Sequence, residues 1–451
     1  MITNQTQKSL FFGIMVLAAS CEALSAQSAD ALINKLVEKG ILTQVEAASL
    51  RSETTNDFNR AFAAKSGMAP WVNSVKFGGD FRGRYDGTYQ DESNTGPGSA
   101  TEDRQRFRYR LRYGMTANLA DQFEIGLRLG SGEVGSAAPS LGGSPFSANT
   151  TLGNDGSRKF IFVDLAYAKW KPEDWFSAEI GKMNNAFWFT DMTMDPDYNP
   201  EGAQEKFSWV LNKEHKLDFT AGQYVIYENF NAASNNENFN TNNTLISPNR
   251  DVYLFVGQVD WTAKWSDHLS SRLGVAGYAF LNQRDISPAL EIFLNQNGTS
   301  AAGSNAPNFN PIVARAEISW MFDSAPLFHG KFPLTLGFEY ANNPAASSIS
   351  GSEGYNVGLT FGDARRKHNW MLSYNYKHIG TAALWHGIND DDFGVNARGG
   401  TGVAGHQVIA SYHLFDPFWM NLRFMQTEQI NTPPHVSSEQ TRVFFDLLWS
   451  F

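Results

Sequence analysis

A single cysteine, Cys21, leaves nothing to pair within the chain and rules out a disulfide framework. Charge is also scarce: Asp, Glu, Lys and Arg make up 18% of the 451 residues, with a formal net charge of -10. That acidic balance contains no basic tract, which argues against nucleic acid as a partner. Long hydrophobic runs are missing too, since beyond the first segment nothing reaches the ~18 consecutive apolar residues that a membrane-crossing helix requires. The nine histidines are scattered without the spacing of a metal site or a Ser/His pair, so neither a cofactor nor an enzymatic activity is expected. Gly130-Ser-Gly-Glu-Val-Gly135 spells a dinucleotide-binding pattern, but no helix or βαβ unit follows it.

What the chain does have is glycine and aromatics: 39 Gly, 34 Phe, 15 Tyr and 12 Trp. That mixture suits many strands with aromatics on one face and Gly or Asn in the turns. Residues 1–26 carry Lys8, an apolar run from Leu10 to Ala19, and small residues at Ala23, Ser25 and Ala26. This is the pattern of a secretory signal peptide, too short to span a bilayer, and it predicts an exported protein. Cys21 is a poor lipoprotein site, because Ala18, Ala19 and Ser20 precede it and Leu17 falls one place too early.

Residues 27–70 read as a helical periplasmic segment. Leu32, Leu36 and Val37 have helical spacing, Gly40 ends the first piece, and Thr43 with Glu46 forms a capping box ahead of Val45, Ala48 and Leu50. From residue 71 to 451 the period changes to two. On the second strand Phe107, Tyr109, Leu111, Tyr113, Met115, Ala117 and Leu119 alternate with Arg104, Arg106, Arg108, Arg110, Arg112, Thr116 and Asn118. Phe77, Phe81 and Tyr85 oppose Asp80, Arg82 and Arg84, while Ile125, Leu127 and Leu129 oppose Arg128. Apolar residues facing lipid and arginines lining a wet lumen is the arrangement of a membrane barrel.

About sixteen strands are predicted, near 73–88, 103–119, 121–131, 158–170, 175–184, 204–212, 215–226, 250–265, 268–281, 310–322, 331–342, 354–362, 367–379, 403–414, 417–428 and 440–451. Tight connections alternate with long Gly/Asn/Ser-rich loops at 87–102, 131–157, 185–203, 227–249, 282–309, 342–353, 380–402 and 429–439. Short turns at one rim and long loops at the other fit a transmembrane antiparallel β-barrel; a soluble sandwich has no reason to sort its loops so. Two places fit poorly. Asp164 sits with Phe162 in one phase, whereas the other phase puts Lys169 with Val163, Leu165 and Tyr167. The phase also slips at Leu254 to Gln258, predicting a bulge. Trp170, Trp175, Trp261, Trp265, Trp320, Trp370, Trp419 and Trp449 gather at strand ends, as interfacial girdles do.

The final strand places Val443, Phe445, Leu447, Trp449 and Phe451 on one face. It resembles the terminal signal by which the barrel-assembly machinery recognises outer-membrane barrels. The whole arrangement resembles a bacterial porin, and the segment ALINKLVEKGILTQVEAASL ahead of the barrel resembles more narrowly the family of putative porins. The resemblance implies a sixteen-strand barrel in the outer membrane of a Gram-negative bacterium, embedded in its lipid. It implies a homotrimer, and passive diffusion of small polar solutes and ions as the activity. It also implies a third long loop, here 185–203 with Asp191, Asp195, Asp197 and Glu201, folded inward as a constriction against the arginine row. Such a row sets a transverse field, or is held in structural salt bridges, and both can hold together. A substrate-selective channel for anions, phosphate or sugars is an alternative, as is a closed barrel with an adhesive or enzymatic role. Asp390, Asp391 and Asp392 read as a solvated loop tip at the cell surface in preference to a cation site.

Overall fold

The computed structural model describes residues 32–54, 67–90, 103–133, 147–153, 155–228, 251–283, 309–346, 351–385, 387–394, 400–430 and 439–451. The chain divides into two units, 1–74 and 75–451. The first contains helices over 32–38 and 44–54. Gly40 ends the first helix in the left-handed region at φ +70°. At the start of the second, the Thr43 N–H donates to Glu46 Oε2 at 2.8 Å and the Glu46 N–H donates to Thr43 Oγ1 at 3.2 Å. This is the capping box read from the sequence. Residues 1–26, read from the sequence as a signal segment, and the predicted helical stretch from 55 to 64 lie outside the described residues.

The second unit is one closed antiparallel sheet. Its strands are β1 (Val72–Gln90), β2 (Arg104–Leu119), β3 (Phe123–Gly132), β4 (Thr150–Thr151), β5 (Phe160–Glu173), β6 (Phe176–Lys182), β7 (Glu201–Val210), β8 (His215–Tyr227), β9 (Val252–Lys264), β10 (Leu269–Leu281), β11 (Ile312–Phe322), β12 (Phe332–Asn342), β13 (Glu353–Gly362), β14 (Trp370–Ile379), β15 (Val403–Phe415), β16 (Phe418–Gln429) and β17 (Glu439–Ser450). β4 is two residues of a loop laid against Arg108 and Tyr109 of β2. The other sixteen strands form the wall, and β1 closes onto β17 with Asp80 opposite Ser450 through Gln90 opposite Gln440. Closure leaves no strand edge unpaired, as a bilayer core without water demands.

Alternation fixes the faces as expected. Phe107, Leu111, Tyr113 and Met115 are exposed on the outside of β2, while Arg108 and Arg110 are buried within. Val443, Phe445, Leu447 and Trp449 share the outer face of β17, where Trp449 pairs with Phe81 and Phe445 with Tyr85. Aromatic rings meet near the short-turn rim, among them Phe123 stacked on Trp170 at 5.8 Å and Trp261 edge-on to Trp265 at 5.7 Å. Trp419 departs from this girdle. Its ring lies 4.3 Å from that of buried His413, and its indole N–H donates to the Ala364 carbonyl on the lumen side.

Both misfits of phase have structural causes. Between β3 and β5 the register jumps, with Arg128 opposite Leu165 and Leu129 opposite Val163, so Asp164 is the extra residue of a bulge. The bulge switches the strand's phase, which reconciles the two alternations. The bulge predicted at Leu254 to Gln258 is absent: through those residues β9 keeps continuous register against both β8 and β10, and the shift against β8 falls earlier, where Val225 and Tyr227 oppose Tyr253 and Val252. The phase appeared to slip because Leu254 and Val256 are apolar residues facing inward, where they join a hydrophobic cluster inside the barrel.

A charged constriction inside the barrel

That internal cluster exists because two long loops, not one, fold into the lumen. Phe187, Met192 and Met194 come from the loop between β6 and β7; Leu384, Trp385, Ile388 and Phe393 come from the loop between β14 and β15. The Asp195 N–H donates to the Ile388 carbonyl at 2.7 Å, and the Asp390 N–H to the Asp191 carbonyl at 3.0 Å. Where the first loop leaves the wall, Gly181 (φ +120°) faces Gly202 (φ +147°) across β6 and β7. A Cβ there would come within 2.3 Å and 2.1 Å of neighbouring carbonyl oxygens, so only glycine fits either place.

The wall latches this first loop by five sets of contacts. Gln258 takes the Trp188 peptide in a double clasp: the Trp188 N–H donates to Oε1 at 2.7 Å, and Nε2 donates to the Trp188 carbonyl at 2.9 Å. The Trp188 ring lies between the Arg272 and Arg315 guanidinium groups, 4.1 and 4.3 Å away, a double cation–π contact. Fully buried Glu339 accepts from the Thr190 N–H at 2.8 Å and from the Thr190 and Thr193 hydroxyls at 2.6 Å each. Asp164 at the bulge accepts from Asn199 at 2.9 Å while pairing with Arg128. Lys377, fully buried, meets Asp191 at 2.6 Å.

The arginine row is largely neutralised by carboxylates on neighbouring strands. Asp80 takes Arg110 at 2.9 Å and Arg112 at 2.7 Å; Asp86 takes Arg106 at 2.6 Å, Arg442 at 3.4 Å and Arg108 at 3.5 Å. Arg84 forms a two-bond fork with Asp446, at 2.7 and 2.9 Å. Two rungs differ. Arg104 is exposed at the long-loop end of β2. Arg82 makes no ion pair among the described residues and donates only to Asn149 Oδ1, at 2.7 Å.

The acids expected opposite the row divide. Asp197 meets Arg110 at 3.3 Å and Arg112 at 3.6 Å. Asp191 instead faces Lys377, and Glu201 sits at the start of β7 with an exposed side chain, paired to Lys182 at 2.9 Å. Asp195 joins Asp390 and Asp391, with carboxylate oxygens all within 4.8 Å of one another. Asp390, Asp391 and Asp392 are therefore not a loop tip in solvent; they lie in the lumen, because the apolar residues flanking them pull their loop inward. Asp392 meets Arg442 at 3.1 Å and Arg84 at 3.7 Å.

Titration follows from these neighbours. Burial and the charges of Asp390, Asp391 and Asp197 push Asp195 well above the usual carboxylate range. Burial and Asp191 push Asp390 up to about 6, and burial with Asp392 and Asp390 raises Asp391 well above normal. Burial also works upward on Asp392, but Arg442, Arg84, Arg423 and Arg108 outweigh it and hold that group far below normal. On Asp191 the Lys377 and Arg423 charges likewise overcome burial.

Lys377, Glu339, Gln258, Arg442, Asp446 and the 390–392 triplet were not singled out from sequence as site residues. A usable signal existed for the triplet. Leu384, Trp385, Ile388 and Phe393 bracket it, too apolar a setting for a solvated tip.

A closed sixteen-strand barrel narrowed by inward loops and lined by charge defines a channel of the outer membrane, not an enzyme. The chain belongs to the family described as putative porin, whose pattern it matches over residues 96–311 and 306–447. No curated protein matches it. Among solved structures it is similar to OprB of Pseudomonas putida, with 14% identity over 84% of this chain and 94% of that one and a TM-score of 0.46. It is also similar to the outer membrane channel DcaP of Acinetobacter baumannii, with 12% identity, 84% and 97% coverage and a TM-score of 0.43. For a mutant of the Rh. blastica porin the values are 12%, 84%, 100% and 0.41.

Proposed function

We propose that the protein is exported by its first 26 residues, assembles as a homotrimer, and passes small hydrophilic solutes and ions through a constriction set by the arginine row and the two inward loops. The outer face of β17 (Val443, Phe445, Leu447, Trp449 and Phe451) is the segment offered to the barrel-assembly machinery, and residues 27–70 form a periplasmic extension. The observation that carries the reading is the set of latches fixing the loop after β6 to the wall, with Asp197 against Arg110 and Arg112. A fixed loop keeps the eyelet open at constant size, and opposed fixed charges across it set a field that acts on ions and dipolar solutes.

The test is conductance of the purified protein in a planar bilayer under a KCl gradient. Steady ohmic steps, often in threes, are expected, with an ion preference that moves towards cations when Arg106, Arg108 and Arg110 are neutralised together. Folded, heat-modifiable protein without conductance would defeat the channel reading.

A further inference from the structure

The ion pairs of the lumen leave two poles uncompensated, and both open on one cavity of about 330 Å³. At the basic pole, Arg82 has no carboxylate partner among the described residues and its Nε–H is buried without an acceptor. Arg108 is buried, 8% exposed; its Nε–H also lacks an acceptor, and it shares Asp86 at 3.5 Å with two closer arginines. At the acidic pole, neither Asp195 nor Asp391 forms an ion pair among the described residues, and Asp390 Oδ2 is buried without a hydrogen-bond donor. Of the other arginines lining the cavity, Arg84 is held by Asp446, Arg106 by Asp86 and Arg442 by Asp392, Arg104 is exposed, and Arg423 reaches Asp390 only at 3.9 Å, as Lys377 does.

A buried guanidinium with a free donor and a carboxylate cluster with two of its three members unpaired are each costly. They line the same cavity and still make no direct pair among the described residues. A ligand carrying a carboxylate at one end and an ammonium at the other relieves both costs at once. A simple anion would relieve the arginines and aggravate the acids; a simple cation would do the reverse. The volume lies at the low end of the ~300–1,000 Å³ typical of ligand pockets, which fits a small solute.

On the basis of the channel reading above, we propose that the cavity bounded by Arg82, Arg108, Asp195, Asp390 and Asp391 is a subsite for small zwitterions of the α-amino-acid class. The carboxylate lies on the arginine forks, which suit its two oxygens, and the ammonium lies among the three aspartates. Such a subsite raises the local concentration of a dipolar solute beside the eyelet. Charges on the ligand so small are held by opposed groups on walls that also face water, weakly enough to let it leave.

The experiment is release from proteoliposomes of alanine, lactate and alaninamide, which are respectively zwitterion, anion and cation of similar size. Full-length protein is used, with its folding checked by heat-modifiable mobility. Alanine should leave several-fold faster than either relative. The doubly substituted variants Arg82→Gln with Arg108→Gln, and Asp195→Asn with Asp391→Asn, should each erase that advantage. Equal release of the three by the wild type overturns the inference while leaving the channel intact, and this arm needs no variant to fold. Lactate as fast as alanine, unaffected by the aspartate changes, overturns it in favour of a plain anion site. Release of none of the three, with no conductance, overturns the channel reading and this inference with it.

Discussion

Single residues in the lumen act through charge that water cannot fully screen. Asp390 illustrates the consequence for pH. Its carboxyl is pushed up to about 6 because it is buried and faces Asp191 and Asp392, with Lys377 and Arg423 only partly offsetting them. The folded protein therefore holds this proton in a window where the unfolded chain has already lost it. The favourable contribution is complete below the ordinary carboxylate value and is lost as pH rises to about 6. Acidification across that value removes a negative charge from the constriction. Under a KCl gradient, the reversal potential should move towards anion preference as pH falls from neutrality, with its midpoint near 6. In Asp390→Asn the step should vanish, and an unchanged step would assign the titration to another group.

At the scale of elements, the loop between β6 and β7 is held by a few polar groups on the wall. Glu339 alone accepts three hydrogen bonds from Thr190 and Thr193. A hydrogen bond to a charged group contributes about 1.5–3 kcal/mol, and ~1.4 kcal/mol is a tenfold change in an equilibrium. Replacing Glu339 with Ala should thus raise the population of the released loop more than tenfold. Single-channel records should then change from steady steps to noisy current of larger mean, whereas current as quiet as wild type would show that the other latches suffice. The Asp164 bulge acts at the same scale. One inserted residue turns Leu165 and Tyr167 inward and leaves Asp164 between Arg128 and Asn199, tying β5 to the loop.

The whole molecule depends on closing the sheet, and the Arg84–Asp446 fork lies across the seam between β1 and β17. Both side chains are buried, so deleting one leaves an unpaired charge at a cost of about 3–5 kcal/mol. Arg84→Ala should lower the urea midpoint of the folded barrel, as read by heat-modifiable mobility. Arg84→Ala combined with Asp446→Ala should recover much of the loss. Equal midpoints for wild type and the single variant would mean that water reaches the seam and screens the pair.

The wall was legible in the sequence because its signal is local. A period of two, aromatics outside and arginines inside follow from which neighbour meets lipid, and loop lengths follow from which rim they join. The helical capping box at Thr43 and Glu46 is equally local. The constriction was legible only in part, because it is made by residues far apart in the chain. The structure brings Asp197 of the loop after β6 to 3.3 Å from Arg110 and 3.6 Å from Arg112. Asp191 and Glu201 do not face the row, and nothing near them in sequence announces Lys377 or Lys182 as their partners.

The sequence by itself determined the barrel, its strand count and its two faces, since each depends on a side chain's relation to its immediate neighbours and to solvent or lipid. Only the tertiary structure decided that Leu254 and Val256 pack inside, that a second loop carries Asp390 to Asp392 into the lumen, and which arginines stay unpaired. The physical reason is that pairing a buried charge depends on the distance between strands and loops brought together by closure, and that distance is written in no single stretch of the chain.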